Sequence, residues 1–244
     1  MKKSAIVFFT LLLLQACTPF LYVPAPSNTP LLQEKNEIKA NLNWKSQQIG
    51  YALTDNIGLI ASNKFQNRSS GNDTSFYTRH GGYLTEVGAG YFGQLNEHTI
   101  HEYFAGFGYG RTTFEGDYSD AISSNSPQIH SYQFNTLKFF IQPEVGWVNE
   151  YFETGISSRF TFLKPMNLET QKMSDNKKAF YGLDTLTMKT WVYWEPSVTL
   201  RGGYKYVKFQ FQPLLSLKLN RNTLYYWPFN FNFGVTVNLA KWYK

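Results

Sequence analysis

From Glu37 to Leu239 apolar and polar residues alternate at period two, and no stretch of comparable length has helical spacing. In 207–219 (VKFQFQPLLSLKL), Val207, Phe209, Phe211, Pro213, Leu215, Leu217 and Leu219 share one face. Lys208, Gln210, Gln212, Leu214, Ser216 and Lys218 share the other. In 227–239, Trp227, Phe229, Phe231, Phe233, Val235, Val237 and Leu239 oppose Pro228, Asn230, Asn232, Gly234, Thr236 and Asn238. Successive side chains of a strand point to opposite faces, so each such segment is a strand with one apolar and one polar side. The pattern predicts an all-β chain of ten strands, at roughly 37–45, 49–54, 57–65, 79–93, 98–114, 130–147, 150–163, 189–202, 204–219 and 225–239. Ser46-Gln47-Gln48 is the ambiguous point: if 37–54 is one bulged strand the parity changes, and eight strands is the alternative.

The connections alternate too. Short turns fall at 54–56, 94–97, 148–150 and 202–203, and long polar loops at 66–77, 115–129 and 164–188. Short turns on one side and long loops on the other define an up-and-down antiparallel transmembrane β-barrel. An even strand number leaves both barrel ends on the short-turn side. The polar faces are rich in glycine, as at Gly106, Gly108 and Gly110, which suits the crowded interior of a small barrel. Trp44, Trp147, Tyr151, Trp191, Tyr225, Tyr226, Trp227, Trp242 and Tyr243 lie near strand ends, where aromatic side chains anchor at membrane interfaces. Several strands exceed the roughly 9–11 residues that cross a bilayer, so the wall projects beyond it.

Composition agrees. Aromatic residues make up 18% of the chain and charged residues 16%, against about 25% charged in soluble domains. That excludes a disordered chain, which lacks material to bury. A single cysteine in 244 residues excludes a disulfide scaffold and a Cys-rich zinc site. The net charge of +6 falls to +4 once Lys2 and Lys3 are removed, too little and too scattered for a nucleic-acid partner.

Lys2 and Lys3 precede the apolar run Ala5–Leu14, which is too short to span a bilayer and has the form of a secretory signal over residues 1–16. The run ends in Leu14-Gln15-Ala16-Cys17. Pro19, Pro24, Pro26 and Pro30 then exclude helix and central strand, so residues 17–36 read as an extended tether ahead of a barrel domain at 37–244.

The 14–17 segment resembles the lipobox of bacterial lipoproteins, and the strand pattern over 37–239 is similar to outer-membrane β-barrel lipoproteins and small OmpX/OmpA-type barrels. The resemblance implies a diacylglyceryl group on the Cys17 thiol and a further acyl chain, such as palmitate, on its amine. Asn232, Gly234, Val237 and Leu239 resemble the C-terminal signal read by the barrel-assembly machinery, although family members end on an aromatic residue there and this chain continues to Lys244. No acidic cluster follows Cys17, which implies a lipid anchor in the periplasmic leaflet of the outer membrane, with the long loops extracellular.

Candidate chemistry is sparse. Gly88–Gly93 fits GxGxxG, but a strand pattern rather than a phosphate-binding helix follows. His98 and His101 point to opposite faces of a strand, which argues against a two-histidine metal site. His130-Ser131 invites a lipid-deacylase reading, yet adjacent strand residues do not share a face. Asp184-Thr185-Leu186 matches a short O-glycosylation pattern that often arises by chance. The informative set is the charges on the polar faces: Glu86, Glu102, Lys138, Glu144, Glu153, Arg159, Glu195, Arg201 and Lys208. They read first as a salt-bridge network filling the lumen, second as the lining of a narrow pore, and third as a catalytic carboxylate arrangement. The sequence therefore predicts a barrel with no cofactor, metal or catalytic site. Its partners are outer-membrane lipid and an extracellular ligand of the long loops, in a structural or surface-interaction role. A narrow channel, a lipid-modifying barrel enzyme and a soluble lipocalin-like barrel with apolar residues inside are the rivals.

Overall fold

The computed structural model describes residues 21–70, 78–117, 129–220 and 226–241. Among them are β1 (Ile38–Leu42), β2 (Ser46–Ala52), β3 (Ile57–Ser70), β4 (Thr78–Gln94), β5 (Thr99–Asp117) and β6 (Ile129–Val148). Then follow β7 (Phe152–Gln171), the short helix α1 (Asp175–Phe180), β8 (Trp191–Tyr204), β9 (Val207–Leu215), β10 (Leu217–Lys218) and β11 (Phe229–Leu239). Each strand pairs antiparallel with the next as far as β8, β8 pairs with both β9 and β10, β9 pairs with β11, and β11 returns to β1. The sheet is a closed, up-and-down barrel of ten strands, with β10 the outer continuation of β9 past a break at Ser216.

The ambiguity at 46–48 resolves in favour of two strands. The Asn43 side chain accepts hydrogen bonds from the Lys45 and Ser46 amides at 2.6 and 3.3 Å, and the Asn43 amide donates to Ser46 O. This tight turn separates β1 from β2, and the count stays at ten.

The apolar face points outward. Phe209 is 73% exposed and Phe231 58%, whereas their neighbours Gln210 and Asn232 are buried. The soluble, inside-out alternative is thereby excluded. Tyr91, Tyr103, Trp147, Tyr151 and Tyr204 are exposed near the short-turn end, and Tyr83, Tyr109 and Trp194 nearer the long-loop end. On β4 eight residues separate Tyr83 from Tyr91, about 27 Å along the strand and about 20 Å across a bilayer at 40° tilt, close to the aromatic girdle spacing of outer-membrane barrels. Phe231→Arg puts a charge in this belt and is expected to cost about 2–4 kcal/mol. Urea titration of the protein refolded into bilayers checks this, with Phe231→Leu as the neutral control.

Three strands run well beyond their predicted ends. β3 reaches Ser70, β5 reaches Asp117 and β7 reaches Gln171, where Glu169, Thr170 and Gln171 pair with Gln133, Tyr132 and Ser131. Beyond the membrane the outward face need not be apolar, so the alternation fades while the backbone pairing continues. Asn167 (φ 52°) absorbs a bulge there. The rest of the 164–188 region folds back over the long-loop end. Ser174 caps α1, and Tyr181, Leu183 and Leu186 are buried against Trp191, Tyr132 and Phe114. Trp191, expected at the membrane interface, is 1% exposed inside this cluster, with its Nε1 donating to Leu186 O at 3.1 Å.

The largest departure is the proline-rich segment. It does not hang from the barrel as a tether. Apart from half-buried Val23, residues 21–32 are buried inside the barrel. Extended chain without partners would strand polar backbone groups in a lumen, so the physical reason must lie in what the wall offers it.

Candidate functional site

The lumen is the site, and its axis is an internal strap, residues 21–33. Wall side chains hold eight of the strap's carbonyls. Lys64 Nζ donates to Val23 O and Pro24 O at 2.8 and 2.9 Å, and Asn230 Nδ2 to Pro24 O at 2.8 Å. Gln48 donates to Pro26 O, Gln212 to Ser27 O, Gln142 to Asn28 O and Arg201 to Thr29 O. Lys39 Nζ reaches Leu31 O at 3.1 Å, and Gln94 reaches Gln33 O at 3.2 Å. In the other direction Glu102 accepts from the Leu31 and Leu32 amides at 2.9 and 2.7 Å, and Glu37 from the Gln33 amide at 2.6 Å. Prolines at 24, 26 and 30 suit this arrangement, since they fix φ and bring no amide that needs a partner.

Space for the strap comes from glycines in the wall. A Cβ at Gly50 would stand 2.4 Å from Pro30 Cβ, and one at Gly146 2.5 Å from Leu31 Cδ2. Phe92, Phe104 and Phe140, each 1% exposed, fill the remaining volume beside Leu32.

All nine residues predicted to line the lumen are buried there. They form two clusters and two exceptions. In the short-turn half Glu153 is the hub, with Arg201 Nη1 at 2.7 Å, Lys208 Nζ at 2.9 Å and Lys39 Nζ at 3.4 Å; Glu37 lies 3.6 Å from Lys39. In the long-loop half Glu86 holds Lys138 at 2.6 Å and Arg159 at 3.2 Å. Glu195 accepts from Thr161 Oγ1 and Tyr22 Oη at 2.7 Å and lies 3.9 Å from Lys138. The pairs are not confined to adjacent strands, as Lys39–Glu153 joins β1 to β7 across the lumen. Glu102 and Glu144 are the exceptions: they face each other in register, Glu102 binds strap amides and Glu144 accepts from Gln142 Nε2 at 2.8 Å, each in place of a cation. Lys39, Glu37 and Lys64 complete the set. None of the three is in the inward charge set read from the sequence.

Cys17 lies outside the described residues. The other motifs are accounted for by packing. Gly88–Gly93 is part of β4, between β3 and β5. His98 rests on Trp147, while His101 lies between Tyr91 and Tyr103 on the outer face. His130 Nδ1 meets Lys172 O and its Nε2 lies 2.8 Å from Lys177 Nζ, so both ring nitrogens hold the β7–β8 connection. Among the described residues no group of three His, Cys, Asp or Glu side chains is placed to hold a metal ion.

At the long-loop end the tall strands β3–β7 enclose an open cleft of about 670 Å³. Arg79, Glu115, Gln133, Glu169 and Tyr132 line it. Arg111 donates to Gln133 and Gln133 to Glu169, giving the rim a chain of polar groups.

No protein-family model matches the chain, and no curated protein matches it in sequence. Among solved structures it is similar to the outer membrane protease OmpT from Escherichia coli, with a TM-score of 0.50 and 13% identity over 83% of this chain and 92% of that one. At that identity the likeness concerns the fold alone. Together with the apolar belt it defines the class: this chain has the fold of an outer-membrane β-barrel.

Proposed function

We propose that this protein is an outer-membrane lipoprotein, acylated on Cys17, that works as a structural and surface-interaction element through its long-loop end rather than as a channel or an enzyme. The observation that carries this reading is the filled lumen. Among the described residues a strap held by wall side chains, two charge clusters and an aromatic cluster at the mouth fill the lumen. The surface with shape and polarity to spare is the long-loop end, with its cleft beside Arg79 and Glu169 and the exposed residues Asp175, Asn176, Asp184 and Lys189 of the folded connection. Function tends to sit on such connections when a rigid scaffold presents them. The long-loop end is read as extracellular, following the rule that short turns face the periplasm.

Two experiments test the reading. Trypsin added to intact cells is expected to cut at Lys172 or Lys189 and to spare Lys205 in the short β8–β9 turn. Cleavage only after the outer membrane is opened would invert the topology. Cys17→Ala is expected to abolish fatty-acid labelling while heat-modifiable gel mobility is kept, because the barrel has its own apolar belt. Labelling that persists in that variant would remove the lipoprotein part of the proposal.

A further inference from the structure

The strap has a direction. Gln33 and Leu32 lie at the short-turn end, against Gln94 and Glu102 near the β4–β5 turn. Asn28 sits at mid-height, donating to Ile49 O and Ala61 O. Tyr22 stands at the opposite end, pairing with Tyr226, accepting the Trp227 amide at its carbonyl and donating its hydroxyl to Glu195. Eleven residue steps from Tyr22 to Gln33, with a turn of the backbone at Leu31 (φ 55°), give at most about 35 Å of chain, comparable to the roughly 30 Å hydrocarbon layer. Leu21 therefore opens onto the aromatic mouth, beside Tyr181 and Trp191.

We infer that the barrel carries its own N-terminal segment through its lumen, so that whatever precedes Leu21 leaves at the long-loop end and is displayed on the cell surface. This rests on the lipoprotein reading for one consequence: the acyl chains of Cys17 then enter the outer leaflet, not the periplasmic one that the absence of acidic residues implies. The two anchoring elements of the strap set its polarity independently of that modification. Glu102 takes two consecutive amides at one end, and Tyr22 takes backbone and side-chain partners at the other. Because the sheet closes without a gap, the strap cannot leave sideways.

The test uses the full-length protein in cells. An epitope inserted between Thr18 and Pro19 is expected to bind antibody equally on intact and permeabilised cells. Binding only after permeabilisation would overturn the inference. As the insertion can disturb assembly, a second variant reads the strap directly. A Cβ at Gly155 would stand 3.0 Å from Thr29 Cγ2, about the separation between a Cβ and the far sulfur of a disulfide. Thr29→Cys with Gly155→Cys should cross-link almost completely, seen as a shift on non-reducing gels; assembled barrel with both thiols free would also overturn the inference. Fatty-acid labelling of the same proteins separates the two claims. A displayed epitope without label retains the threading and rejects the lipid, whereas label with a hidden epitope does the reverse.

Discussion

Glu153→Gln is expected to be the most damaging single substitution in the wall, lowering stability by about 3–5 kcal/mol. Its carboxylate faces Arg201, Lys208 and Lys39, all essentially without solvent access. The amide keeps the shape and removes the charge, leaving three cations with Glu37 as the nearest other carboxylate, 3.6 Å from Lys39. Breaking a buried pair costs more than the pair contributed, because the stranded partner has lost its water. Here the effect reaches the strap as well, since Arg201 also donates to Thr29 O and Lys39 to Leu31 O. Urea titration in bilayers measures the loss. Phe231→Leu on the belt and Glu150→Gln at the half-exposed Lys205 pair should shift the midpoint little, an exposed pair being worth about 0–1 kcal/mol. A Glu153→Gln midpoint within error of the parent would mean that water enters the lumen and that the network is not buried.

The wall was legible in the sequence because a barrel in lipid forces period two on every strand. Phe209 against Gln210 and Phe231 against Asn232 could only face one way each, and the nine inward charges followed by parity. The strap was not legible. Its contacts run through backbone carbonyls of Val23 to Gln33, and a carbonyl leaves no trace in side-chain type. The prolines correctly excluded helix and strand, but an extended segment outside a barrel and one inside it have the same composition. A signal did exist on the wall: Gly50 and Gly146 leave the room that Pro30 and Leu31 fill. Trp191 was misplaced for a related reason. Aromatic residues at strand ends are alike in sequence whether they meet lipid headgroups or a folded connection, and only Leu186 and Tyr181 coming back across the mouth decide the matter.

Intact protein in a planar bilayer is expected to give no single-channel steps, and removing residues 22–32 together with 173–188 is expected to produce them. A ten-stranded barrel has little lumen beyond what its side chains fill, since eight strands leave none and sixteen are needed for a wide channel. In this chain that remainder is occupied twice over. The strap runs the length of the axis, and Tyr181, Leu183 and Leu186 close the mouth over Tyr22 and Tyr193. Deleting the strap alone leaves that mouth closed, and deleting the connection alone leaves the axis filled, so each single deletion should stay silent. With both gone, Gln48, Gln142 and Gln212 lose the strap carbonyls that they hold and face water, and ions have a polar path. The steps should be small, because Arg159 still reaches Glu86 and Lys39 still reaches Glu153 from the far side of the barrel. Conductance from the intact protein, with selectivity altered by Glu195→Ala or Arg201→Ala, would show that strap and mouth open together and would make the channel the function. Silence from the double deletion, in protein that still shows heat-modifiable mobility, would mean that the charge clusters alone seal the lumen.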